Sequence, residues 1–514
     1  MSHIKNSNNN NNNIENNDNL FFLIWRNIYL LKEIQRHLRL YNSNRIININ
    51  QSMDQLRYHP HRRYASKIII GVNEPLEPHG QLGPYGKLIP YGTTELEFTS
   101  SFKIPIIVKG DIPPTVTCLI LSPSYRQQID IKSAIPSSVT KLEYCNYNQE
   151  LKPKMLPPSL TSLNISYTKQ ELSIGTLPQS LTYLNLYGFN ERIIPGLFGS
   201  VTELNLGSFN QSLNAGDIPI TCINLKLGSY THPLLSNVLP PHLEKLELAL
   251  YNNPISHGIL PESITELCMK HYNQPISNSL SSLYSLKTLK MFNFDQEISI
   301  GELPCSIKQL ELAQFNQELK PNVLPPSITK LILFSYSHPL EPQAIPPYVQ
   351  YLELLSFTKK YTFPDSIRHL SIPNFYNLDK DFLSSITQLG YERNCSLNSY
   401  GKVLELPPSS FIPYLAGKPK ALVKLIFPSH FNHPLQIGII PNSVLDLTFS
   451  SYYDHPLQVG VLPESLTKLT FGDRFNQQID PNTIPQSVTQ IELSRLYKHP
   501  IPDSLSNRLK YSFY

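Results

Sequence analysis

Five histidines, His232, His338, His433, His455 and His499, each stand directly before a proline and two residues after an aromatic. Imidazoles repeated at one slot could ligate a metal. The same slot holds Gln149, Gln211, Gln274, Gln296, Gln317 and Gln477 elsewhere in the chain. Glutamine and neutral histidine both present a planar head with one donor side and one acceptor side, so a hydrogen-bonded ladder at a turn accounts for both. A second candidate, Gly80-Gln81-Leu82-Gly83-Pro84-Tyr85-Gly86-Lys87, faintly echoes a phosphate loop. It carries one residue too many before Gly-Lys, places Leu88 where a metal-binding hydroxyl is required, and reads as a turn. The cysteines at 118, 145, 222, 268, 305 and 395 share no spacing and form no CxxC pair. They describe neither a disulfide framework nor a zinc site, and reduced thiols in a reducing compartment are the simpler reading. No Ser/His/Asp or Cys/His set and no isolated carboxylate pair stands out. The expectation is a chain that is not an enzyme and needs no cofactor or metal.

The residues that remain recur with a period. Counting from a proline as zero, an aliphatic follows at +3, +6 and +8, an aromatic at +10 to +12, then a small polar residue, then Gln or His. Copies open at Pro136, Pro157, Pro178, Pro240, Pro304, Pro325, Pro346, Pro441, Pro463 and Pro485, among others, at intervals of 20 to 23 residues. Serine often stands at +2, as at Ser138, Ser159, Ser180, Ser263, Ser327, Ser465 and Ser487, where with the proline it marks entry to a strand. Positions +6 and +8 are two apart and share one face of an extended chain, which turns +5 and +7 to the other. Parallel stacking in register is what aligns the apolar positions into continuous columns.

A period this short, held this long, predicts a β-rich repeat solenoid, an open superhelix of about twenty coils with short parallel strands and few helices. The 45 prolines against 21 glycines favour stiff, extended connections. The spacing of Val201, Leu204, Leu206 and Phe209 is similar to the leucine-rich repeat. The fuller pattern resembles the FNIP repeat family. It is carried by Phe315-Asn316-Gln317-Glu318-Leu319, Phe431-Asn432-His433-Pro434-Leu435, Leu324-Pro325-Pro326-Ser327-Ile328-Thr329 and Leu462-Pro463-Glu464-Ser465-Leu466-Thr467. That resemblance implies a leucine-rich-repeat-like body that binds proteins. It also implies an N-terminal segment of the Leu20-Phe21-Phe22-Leu23-Ile24-Trp25-Arg26-Asn27 type, which in some members belongs to an F-box.

Three regions follow. Residues 1–18, with an asparagine run, bury nothing that offsets ordering entropy and are expected to be a disordered tail. Residues 19–63 hold an amphipathic helix over 19–41 and then a basic linker. The helical stripe Leu20, Ile24, Ile28, Leu31, Ile34 and Leu38 must dock, as a cap on the solenoid or as part of a degenerate F-box. Residues 64–514 are the solenoid, with an irregular insertion at 391–418. Leu20 to Leu31 is too short to span a bilayer and lacks the marks of a signal peptide, so a soluble, cytoplasmic protein is expected.

Net charge is +4, weak for 514 residues. The outward positions alternate in sign, with Lys141, Lys245 and Lys330 at +5 beside Tyr183 and Glu203, and Glu143, Glu247 and Glu353 at +7. A mixed face of this kind suits neither nucleic acid, which asks for one sign and stacking aromatics, nor a membrane. It suits a protein or peptide. These eight residues are the predicted partner-binding face. Nine Lys/Arg against two acids between Arg26 and Lys67 are read as a solvated linker. The alternative function is a substrate adaptor that docks Skp1 and a cullin through residues 19–60.

Overall fold

The computed structural model describes residues 27–76, 88–104, 110–127, 129–145, 147, 149–165, 171–277, 279–354, 366, 369–371, 388–390, 423–427, 432, 434–440 and 442–511. The asparagine run, residues 19–26, the glycine-rich 80–87 segment, His433, Cys395 and the insertion expected at 391–418 lie outside the described residues. The chain divides into two compact units, Met1–Leu225 and Lys226–Tyr514.

In the first unit Asn27 caps helix α1 (Ile28–Asn44), its side-chain oxygen accepting from the Tyr29 and Leu30 amides at 3.0 and 3.2 Å. Eight parallel strands follow: β1 (Ile46–Ile49), β2 (Lys67–Ile70), β3 (Glu95–Phe98), β4 (Cys118–Leu121), β5 (Lys141–Tyr144), β6 (Ser162–Asn164), β7 (Tyr183–Asn185) and β8 (Glu203–Asn205). Each pairs with the next. Single-turn helices α2 (Asp54–Arg57) and α3 (Ile131–Ala134) and a 3-10 turn at Arg62–Tyr64 lie between strands.

Strand β9 (Asn224–Leu227) runs into the second unit, which continues with β10 (Lys245–Leu248), β11 (Glu266–Cys268), β12 (Thr288–Lys290), β13 (Gln309–Glu311), β14 (Lys330–Leu333) and β15 (Tyr351–Leu354). Then come β16 (His369–Ser371), β17 (Gln388–Gly390), β18 (Lys424–Ile426), β19 (Asp446–Thr448), β20 (Lys468–Thr470), β21 (Gln490–Leu493), the turn helix α4 (Asp503–Ser506) and β22 (Leu509–Tyr511). From β10 onward every consecutive pair is again parallel. The fold is a helix-poor parallel β-solenoid with turns of about 21 residues. The step widens to 36 residues from Gln388 to Lys424, the interval that holds the expected insertion.

The columns form as the period requires. Leu142, Leu163, Leu184 and Leu204 at +6 face the interior with at most 1 % exposure, as do Tyr144, Ile165, Leu186 and Leu206 at +8. Each buried side chain contributes about 1.5–3 kcal/mol, but only once neighbouring turns cover it. Behind the strands the aromatics stack face to face, Tyr230 on Tyr251 on Tyr272 at 6.4 Å and Phe294 on Phe315 on Tyr336 at 6.3 and 6.4 Å. The chain is returned to the next strand by a left-handed residue three before the proline. Gly175, Gly216, Gly258, Gly301 and Gly460 hold φ of +79 to +89° there, and Lys154, Asn237, Asn322 and Gln343 hold +62 to +67°.

Two expectations change at the N-terminus. The segment read as a linker contains β1, with Ile47 and Ile49 at 6 and 1 % exposure, and α2 buries Leu56 completely. The array therefore begins at Ile46, one turn before Lys67. Its apolar signal is only two inward isoleucines set in polar sequence. The described helix runs Ile28–Asn44, ending three residues beyond the expected 41, while residues 19–26 of the expected helix lie outside the described residues; it rests against the 3-10 turn through His37 and Tyr64. It has no fully buried residue: Leu31 and Ile34 of its stripe are half-buried, while Ile28 and Leu38 are 70 and 54 % exposed, so the described residues cover the stripe only in part.

Candidate functional site

Strand pairing fixes what the outward side chains meet. In β5, Lys141 Nζ lies 2.8 Å from Glu143 of the same strand, and that hydrogen bond holds its ammonium above the ordinary lysine range. Lys67 bridges Glu95 and Glu97 on the neighbouring β3, at 3.7 and 3.0 Å, and is shifted the same way, first by its bond to Glu97. In the second unit Lys245 pairs with Glu266 at 2.8 Å, and Glu247 lies between Lys226 and Lys270 at 3.7 and 3.1 Å. Lys290 reaches Glu311 at 3.4 Å, and Lys468 reaches Glu492 at 3.1 Å. Exposed pairs of this kind contribute about 0–1 kcal/mol, so their effect is to set side-chain direction rather than stability.

The eight predicted residues take different situations within this pattern. Lys141, Glu143, Tyr183 and Glu203 stand outward in the first unit, and Tyr183 and Glu203 are register partners. Burial first, and then the Glu203 carboxylate, raise the Tyr183 phenol. In the second unit Lys245 and Glu247 are outward and paired, and Lys330 lies over the Tyr351 ring at 4.5 Å. Glu353 departs from the expectation: it is 4 % exposed and accepts from the Tyr351 hydroxyl at 3.1 Å. It occupies the outward position in register but offers a partner almost no surface. A shallow depression across β12–β14 is lined by Lys290, Gln309, Glu311 and Lys330.

The histidine slot is a ladder. His338, His455 and His499 approach the carbonyls of Asn316, Asn432 and Asn476 one turn back through Nε2, at 2.7, 3.1 and 2.8 Å. A carbonyl only accepts, so Nε2 carries the proton. Gln211 makes the same bond to Asn190 O at 3.2 Å. Among the described residues no group of three or more His, Cys, Asp or Glu could hold a metal.

Three further ladders were not anticipated. The preceding Asn or Asp receives the amide one turn on: Asn252 from Asn273, Asn273 from Asp295, Asp295 from Asn316, Asn316 from Ser337, all at 2.8–2.9 Å. Threonine at +4 donates to the +4 carbonyl behind it, Thr140 to Thr117, Thr161 to Thr140, Thr182 to Thr161, Thr202 to Thr182, at 3.0–3.2 Å. Serine at +2 does likewise to the +3 carbonyl, Ser263 to Leu243 at 2.7 Å and Ser327 to Ile307 at 2.6 Å. The signal for the last two was the Ser and Thr of the recurring Leu-Pro-x-Ser-Leu-Thr stretch. These polar residues are therefore committed to holding turns together.

The FNIP Repeat model matches residues 106–144, 147–188, 209–250, 251–287, 292–335, 315–357, 419–452 and 453–495, together more than half the chain. No curated protein matches. Among solved structures the chain is similar to CroV588, described as a novel circular LRR protein, at 25 % identity over 88 % of this chain and 76 % of that one, TM-score 0.53. It is more distantly similar to YopM, a leucine-rich effector protein from Yersinia pestis, at 18 % identity over 82 and 99 %, TM-score 0.34. A Leptospira interrogans LRR protein matches at 17 % identity over 84 and 91 %, TM-score 0.32. The repeat ladders and the family match agree: this chain belongs to the FNIP repeat family and folds as a leucine-rich-repeat-like solenoid.

Proposed function

We propose that the protein is a non-enzymatic interaction scaffold that holds a protein or peptide partner on its outward strand face. Repeat solenoids of this type are commonly protein-binding and typically not catalytic. The observation that carries the reading is the strand register. It lays Lys, Glu, Tyr and Asn side chains of successive turns side by side on a solvated sheet, while the other polar columns are spent in turn-to-turn ladders. Alternating charge on such a face favours a partner with matched alternation over a polyanion. Among the described residues no helix is long and apolar enough to cross a membrane.

Cross-linking mass spectrometry of the affinity-purified chain should place the principal partner on strand-face residues. Reversing Lys141, Glu143, Glu203, Lys245, Glu247 and Lys330 together should then abolish its capture. Undiminished capture by that variant removes the strand face as the binding surface.

One observation favours the second reading, a substrate adaptor that docks Skp1 and a cullin through residues 19–60. Helix α1 leaves Ile28, Leu30 and Leu38 uncovered among the described residues, as a helix awaiting a partner helix does. Copurification of Skp1 with the full chain, lost when Leu38→Glu is introduced, supports it; absence of Skp1 removes it.

A further inference from the structure

Among the described strand-face acids of the first unit, Glu95, Glu97 and Glu143 each have a lysine within 4.0 Å. Glu203 has none. It stands exposed on β8, directly opposite Tyr183 of β7. Two residues along, Asn185 is register partner to Asn164 on one side and Asn205 on the other. The Asn185 Oδ1 atom is buried and accepts no hydrogen bond. Beyond the strand end the Tyr187 ring lies against Gly207, so close that a Cβ built there would meet ring carbons at 2.2–2.9 Å. Tyr187 is nonetheless 56 % exposed.

From β6 to β8 the outward positions thus hold Ser162, Asn164, Tyr183, Asn185, Glu203 and Asn205, with a single formal charge, and that charge is negative. A carboxylate and a phenol ring offer an acceptor and a π face. Together they call for a donor that is also a cation. Resting on the strand-face reading above, we propose that β7 and β8 take an arginine or lysine side chain of an extended peptide. Glu203 binds the cationic head, and Tyr183 lies beside it as a cation–π surface. The acceptor set and its charge select this occupant over an acidic or neutral peptide.

The test uses the full chain and fluorescein-labelled (Gly-Ser-Arg)5, (Gly-Ser-Gln)5 and (Gly-Ser-Glu)5, with fluorescence anisotropy at 0.15 M salt. Binding of the arginine peptide only is expected. Glu203→Gln should weaken it about tenfold, since one charge-assisted hydrogen bond is lost. Tyr183→Ala should weaken it about threefold. Glu143→Gln, whose carboxylate is already paired with Lys141, should change it little. Glu203 is exposed, so an unchanged thermal midpoint is expected to separate loss of binding from loss of fold. No binding of the arginine peptide, equal binding of the glutamine peptide, or equal loss in Glu203→Gln and Glu143→Gln overturns the proposal. The six-residue reversal against the native partner answers separately, so the site can fall while the strand-face reading stands.

Discussion

At the scale of single residues, burial explains the shifted tyrosine and cysteine titrations. Tyr147 and Tyr272 are buried in the aromatic column, and that desolvation pushes both phenols up to about 12 from an ordinary value of 10.0. Cys222 is pushed up to about 12 by the same cause, which leaves its thiol inert at neutral pH. For the tyrosines the neutral form is the one the folded chain accepts. Their contribution is complete below the unfolded value near 10.0 and is lost as pH rises through about 12. The urea midpoint should hold steady to about pH 9 and fall between about pH 10 and 12. Tyr272→Phe should make that alkaline fall shallower, because a phenyl ring fits the same stack, as Phe294 and Phe315 do. An identical alkaline slope in the variant shows that other groups govern it.

At the scale of the element, a turn is defined as much by its polar ladders as by its apolar columns. Asn316 illustrates the point: its Oδ1 accepts from the Ser337 amide and hydroxyl at 2.8 and 2.9 Å, and its carbonyl meets His338 Nε2. Asn316→Ala should cost about 1–3 kcal/mol, read as a lowered urea midpoint, since it strands a part-buried amide. Asn316→Asp should cost clearly less, because Asp295 and Asp454 fill that slot natively. Equal losses from the two substitutions would falsify the ladder as the reason for the residue. The strands, their register and the exposed side were legible in the sequence because spacings of two and of about 21 residues each have one physical solution. The pairing of β1 was not, since Ile47 and Ile49 are too few to register against polar neighbours. Nor was the burial of Glu353, whose carboxylate accepts from the Tyr351 hydroxyl, a contact between same-face neighbours that no periodicity reports.

At the scale of the whole molecule, each turn is covered by the turns before and after it, and this makes stability local. In the second unit Leu469 is fully buried between Leu447 and Ile491, its register partners on β19 and β21. Leu469→Ala removes apolar surface and leaves a cavity, at a cost of about 2–5 kcal/mol. In a globular domain that loss would be shared by every amide that exchanges through global opening. Here it should fall on the adjoining turns. The Phe449 amide, bonded to Thr470 O at 2.8 Å, and the Phe471 amide, bonded to Glu492 O at 2.9 Å, should lose hydrogen-exchange protection. The Met269 amide, bonded to Lys290 O at 2.8 Å many turns away in the same unit, should keep it. Equal acceleration at all three amides would mean that the unit opens as one body. Confined acceleration would mean that a partner seated over a few strands stabilises only those strands, so exchange protection could map its footprint turn by turn.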